Sequence, residues 1–133
     1  MFSDKLRIMY FAVIDTESLA DPRIINDFPI FKVVIEYEPN SEANKYHHIF
    51  FIKIKSEEID KKISKISQEM KNGWYAFFWD DQYLLIVYNN KTFKVTQKNP
   101  DYSAAQNYGR LVGIQGEFLD FKTYFDRYKK ITL

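Results

Sequence analysis

Three short apolar runs separated by turn residues, all between Trp74 and Thr96, constrain this chain more than anything else in it. WYAFFW (74–79) leads into Asp80-Asp81-Gln82, YLLIVY (83–88) into Asn89-Asn90, and KTFKVT (91–96) into a polar stretch. Runs this short and this rich in aromatic and β-branched residues read as strands, because helices of globular proteins need about ten residues or more. Aspartate makes turns through its own side-chain hydrogen bonds, and asparagine tolerates positive φ. The stretch is therefore an antiparallel meander whose second turn has two residues. YLLIVY is apolar on both faces and belongs inside the sheet; WYAFFW is a strand packed on both sides. In KTFKVT, Phe93 and Val95 point inward.

Upstream, Leu6 to Asp15 (LRIMYFAVID) is a further strand, and Thr16 to Pro29 a long connection with a helical turn near Pro22. In Phe31 to Glu38, residues Phe31, Val33, Ile35 and Tyr37 alternate with polar ones, which predicts a half-buried strand. PNSEANK (39–45) turns the chain into Tyr46 to Lys55, where Phe50, Ile52 and Ile54 share a face. These two strands form a hairpin with a long loop.

Helices follow a different period. Ser56 is placed to cap a helix, Glu57 and Glu58 suit its positive end, and Ile59, Ile63, Ile66 and Met70 form one apolar stripe. Gly73 is placed to stop it. Ser103 is placed to cap a second helix carrying Ala104, Ala105, Tyr108, Leu111 and Val112, ended by Gly113 or Gly116. Phe121, Tyr124, Phe125 and Tyr128 recur with helical spacing in a third, with Lys129 and Lys130 in its last turn. The expected fold is a single α+β domain over residues 1–133, in the order β-β-β-α-β-β-β-α-α. One antiparallel sheet of five to six strands carries the helices on one face. The two halves share an outline of three strands and a helix but no residue-level repeat.

The pattern Gly73-Trp74-Tyr75-Ala76, the acidic turn at Asp80-Asp81, Tyr108-Gly109, Gly113-Ile114 and Leu119-Asp120-Phe121 resembles a family of small uncharacterised prokaryotic proteins. The resemblance covers roughly residues 57–121. It departs at Gln115, where the family pattern has proline, and at Phe118, where it has glutamine. No activity follows from it.

Composition narrows the function classes. Nineteen Lys+Arg against 18 Asp+Glu leave a net charge of +1, so no strong field draws the chain to nucleic acid or an anionic membrane. Cysteine is absent, which excludes a disulfide framework, a thiolate metal site and a cysteine nucleophile. No apolar run approaches the roughly 18 residues of a membrane span, and the first residues do not read as a signal peptide, so a cytoplasmic protein is expected. No zinc spacing, Walker loop or nucleophile elbow is present.

The chemical candidates are few. His47 and His48, the two histidines of the chain, are neighbours on a strand, face opposite ways and cannot chelate one ion as a pair. Asp15 and Glu17 follow the first strand and could take Mg²⁺ beside a phosphate, but no glycine-rich loop accompanies them. Asp80 and Asp81 belong to a turn. Lys122 to Lys130 carries four basic residues and one acid, an arrangement that complements a helix dipole. The aromatic density around Trp74 is the strongest anomaly. Trp74, Tyr75, Trp79 and Tyr108, with His48, are the candidate binding residues. No catalytic residue, metal ligand or cofactor is assigned, and the reading points away from an enzyme. It favours an interaction module that binds a protein partner or itself through a sheet edge or an aromatic face. The alternatives are a small-molecule binder with an aromatic-lined pocket and a single-stranded nucleic-acid binder. A fourth is an enzyme that brings one histidine to a distant carboxylate.

Overall fold

The computed structural model describes residues 9–39 and 45–132. Residues 6–8 of the expected first strand and most of the 39–45 turn lie outside them. Six strands are present: β1 (Met9–Asp15), β2 (Ile30–Tyr37), β3 (Tyr46–Lys55), β4 (Ala76–Trp79), β5 (Tyr83–Tyr88) and β6 (Lys91–Thr96). Three α-helices follow the expected order: α1 (Ile59–Glu69), α2 (Ser103–Leu111) and α3 (Phe121–Thr132). Short 3-10 turns cover Thr16–Ser18, Pro22–Asp27, Ser56–Glu58 and Gly116–Leu119. Pro22 opens its turn at the first position, where a missing N–H costs nothing.

All six strands form one open antiparallel sheet in the order β2-β3-β1-β4-β5-β6. β1 thus lies in the middle, joining the β2–β3 hairpin to the β4–β5–β6 meander. This arrangement breaks the outline shared by the two halves. The first strand of one half pairs with its third, whereas the first strand of the other pairs with its second.

The helices cover both faces of the sheet, not one. Ile59, Ile66 and Met70 pack with Ala12, Ile14, Ile52, Ile54, Ala76 and Phe78. Ala105, Phe121 and Phe125 pack with Val13, Phe51, Phe77, Trp79 and Ile86 on the opposite side. Alternation along β4 shows why. Ala76 and Phe78 point toward α1, and Phe77 and Trp79 toward α3, with all four buried. A strand that is apolar on both faces has to be covered twice, and a single helical layer cannot do that.

Caps and stops differ locally from the pattern. Ser56 begins a 3-10 turn and makes no capping bond; α1 starts at Ile59. Ser103 is the first residue of α2, and Asp101 Oδ1 accepts from its N–H at 3.0 Å and its hydroxyl at 2.6 Å. α1 ends because Met70 turns extended and bridges to Leu19, with Lys71 N–H donating to the Ser18 carbonyl at 2.7 Å. Gly73, at φ 87°, shapes the later turn into β4. Gly113, at φ 91°, does close α2, its N–H donating to the Arg110 carbonyl at 3.0 Å. The Asn89-Asn90 turn has the expected two residues, with Asn90 at φ 56° and Tyr88 paired to Lys91.

Candidate functional site

The antiparallel register of β1 with β3 sets Asp15 opposite Ile49, so the end of β1 lies beside the start of β3. Asp15 Oδ1 then accepts the Glu17 N–H at 2.9 Å, which folds the Thr16–Ser18 turn back over β3. His47 and His48 do face opposite ways, yet each meets a carboxylate. His47 Nδ1 lies 2.6 Å from Asp15 Oδ2. His48 Nδ1 lies 3.2 Å from Glu17 Oε2, and the His48 backbone N–H donates to Glu17 Oε1 at 2.8 Å. The Trp74 ring is 6.2 Å from that of His47.

The two carboxyls also touch one another, and this divides them. Burial, reinforced by the Glu17 carboxyl, pushes Asp15 up to about 6 against the pull of His47 and the Glu17 N–H. Burial works to raise Glu17 as well. Hydrogen bonds with Asp15 and from His48 outweigh it and hold Glu17 below the usual carboxylate value. Donor atoms of Asp15, Glu17 and His47 lie within 4.8 Å of one another, a mixed nitrogen and oxygen set of the kind divalent ions accept. To take an ion, His47 would have to release its bond to Asp15. An aspartate that orients an imidazole also fits general-base chemistry. The nearby hydroxyls are engaged. Ser18 Oγ is buried and donates to the Asp15 carbonyl at 2.5 Å, and Thr16 Oγ1 donates to Glu17 at 3.3 Å. All four groups therefore find their partners within the cluster, which ties β1 to β3.

The aromatic candidates do not converge. Trp79 is core, packed on Phe11 and Phe125. Tyr75 stacks among Phe77, Tyr88 and Phe121, and its hydroxyl donates to the Phe118 carbonyl at 2.6 Å. Tyr108 packs on Tyr88 and Phe93. Those three lie on the α2–α3 face, Trp74 packs on the α1 face, and His48 stands half-exposed near the sheet edge. A cleft of about 640 Å³ lies elsewhere, between the Pro22–Asp27 turn, β2 and β3, and is bordered by Phe28, Ile30, Phe31, Lys53 and Lys62. Asp80 shapes its turn, accepting from Gln82 and Tyr83. On α3, Lys122 pairs with Asp126 and Arg127 with Glu36 of β2.

A different surface stands out. β2 is an outer strand, and its alternating apolar row is exposed where the pattern predicts half-burial. Val33 is 47% exposed, Ile35 63% and Tyr37 60%, with Tyr46 of β3 at 59%. Six of the eight large exposed apolar residues among those described, Ile30 and Phe31 included, belong to this edge. The register pairs Val33, Ile35 and Tyr37 with Phe50, His48 and Tyr46, which places the row on the α1 side of the sheet. α1 packs against β1, β3, β4 and β5 and leaves β2 uncovered. Sequence reasoning missed this because periodicity identifies an apolar face but not the element that covers it. It allowed one histidine to meet a distant carboxylate but did not identify these two pairs, because they depend on which strand enters beside β3.

Comparison with protein-family models, curated proteins and solved structures returns no match. The likeness of residues 57–121 to small prokaryotic proteins stays a resemblance. No helix of the described residues is long and apolar enough to cross a membrane.

Proposed function

We propose that the protein is a non-enzymatic association module that recognises another polypeptide through the open edge of β2. The observation that carries this reading is the exposed apolar row Val33, Ile35 and Tyr37 on a strand that has no neighbour on its outer side among the described residues. Soluble proteins blunt such edges with lysines, prolines or bulges. The opposite edge follows that rule: Lys91, Thr92, Lys94 and Thr96 of β6 are all exposed. On β2 one lysine, Lys32, stands among apolar residues. A bulge between Ile30 and Lys32 disturbs the start of the strand alone. An extended segment added here gains backbone hydrogen bonds and apolar side-chain contacts together.

A displayed library of random eight-residue peptides tests the reading. Enriched peptides are expected to bind the wild type and to lose binding to Ile35→Pro, which removes an outward N–H from the edge. Binders that are indifferent to Ile35→Pro, or no binders at all, would refute it. The aromatic-pocket reading gains no comparable support, since Tyr75, Trp79 and Tyr108 fill the core.

A further inference from the structure

We infer that the occupant of the β2 edge is a second copy of this chain, paired antiparallel to the first about a two-fold axis at Val34. The inference rests on β2 being the contact strand and adds the partner and the register.

Backbone direction comes first. The Glu38 N–H donates inward to the Lys45 carbonyl at 2.6 Å. Backbone groups alternate along a strand, so those of Val34 and Glu36 also point toward β3. Val33, Ile35 and Tyr37 therefore present their N–H and C=O groups outward. Two copies of β2 can pair only in registers that set outward residues opposite outward residues.

Charge then selects among these registers. With the axis at Val34, Val33 of one copy faces Ile35 of the other as a hydrogen-bonded pair. Lys32 faces Glu36 of the other copy, twice, at non-hydrogen-bonded positions where side chains approach closest. Tyr37 faces Phe31. Moving the axis to Val33 sets Lys32 against Val34 and Glu36 against Ile30. Moving it to Ile35 sets Lys32 against Glu38, beyond the strand, and leaves Glu36 against Val34. Only the Val34 register opposes both charges of the strand, IFKVVIEY, with opposite charges. The prolines agree: Pro29 and Pro39 flank the strand at equal distances from Val34, and each marks where pairing stops. Glu36 is already oriented on this face by its ion pair with Arg127.

Sedimentation equilibrium on the full chain tests the proposal. The wild type is expected to dimerise reversibly. Lys32→Glu and Glu36→Lys each set like charges opposite one another twice, and each is expected to weaken self-association about tenfold or more. Mixing the two variants restores both opposite-charge pairs, so the mixture is expected to regain wild-type association, as is the doubly swapped chain. Circular dichroism confirms that each variant folds. Since Glu36→Lys also removes the Arg127 partner, Lys32→Glu against the double variant gives the same test with Arg127 facing lysine in one arm only. A wild type that stays monomeric at about 0.5 mM overturns the second-copy proposal. If library peptides still bind in that case, the edge reading survives with a different partner. A dimer indifferent to both charge changes and to their mixing overturns the register.

Discussion

Gly109 sits inside α2, where two effects of known size oppose each other. Alanine in place of glycine in a helix interior gains about 1 kcal/mol of propensity. Against that, a Cβ at Gly109 would overlap the Leu119 side chain and lie 2.9 Å from the Tyr88 hydroxyl. Neither neighbour has room to yield. Leu119 and Tyr88 are each 1% exposed, and the Tyr88 hydroxyl donates to the Ala105 carbonyl at 2.8 Å in a buried position. Overpacking a filled core costs about 1–3 kcal/mol. Displacing the tyrosine hydroxyl from its buried bond adds about 1 kcal/mol. Subtracting the propensity gain leaves Gly109→Ala less stable than wild type by roughly 1–3 kcal/mol. Urea unfolding followed by the fluorescence of Trp74 and Trp79 measures this as a lower midpoint at unchanged slope. Gly116→Ala is the control, because a Cβ there meets nothing within 4 Å. In a Leu119→Ala background the Gly109 substitution should become nearly neutral, since the Leu119 overlap is gone and the remaining Tyr88 contact about offsets the propensity gain. A Gly109→Ala protein as stable as the wild type, or equally destabilised with Leu119 truncated, would refute the packing argument.

Two further outcomes follow from local geometry. Asn90 holds φ 56°, so Asn90→Gly should be neutral or stabilising and Asn90→Val should cost about 1–3 kcal/mol, read as thermal or urea midpoints. Equal stability of the two variants would exclude a left-handed turn position. Asp15, raised to about 6, binds its proton more tightly folded than unfolded. Its contribution to stability is therefore full below about pH 4 and is lost as pH rises through 6. Asp15→Asn keeps an oxygen for the Glu17 N–H, so the wild type should lose about 1–2 kcal/mol relative to it between about pH 4 and 7. Glu17, held low, runs the opposite way and trims the difference. A stability difference that does not change with pH would contradict the assignment.

Much of the fold was legible because its causes are local. Alternation marked β2, the aromatic run marked β4, and spacing marked the stripe Ile59, Ile66 and Met70 that α1 buries. Ile63, in the same stripe, packs at the margin of that cluster and is half-buried. The candidate site was far less legible. Trp79 and Tyr75 looked like ligand-binding residues from aromatic density and are core packing, since density alone does not say which faces are covered.

By itself the sequence determined the elements, their order and the α+β class, because hydrophobic period and turn chemistry act over a few residues. It also held both carboxylates and both histidines in view and allowed one histidine to meet a distant carboxylate, without fixing which pairs form. The tertiary structure decided what lies between elements. Entry of β1 between β3 and β4 brings Asp15 to His47 and Glu17 to His48 across about thirty residues of chain. It also spreads the apolar load over both faces, so that α1 occupies one and α2 with α3 the other. β2 is left at the rim with its apolar row in water, because α1 covers β1, β3, β4 and β5 on that face and does not reach β2, whereas α3 meets β2 from the opposite face.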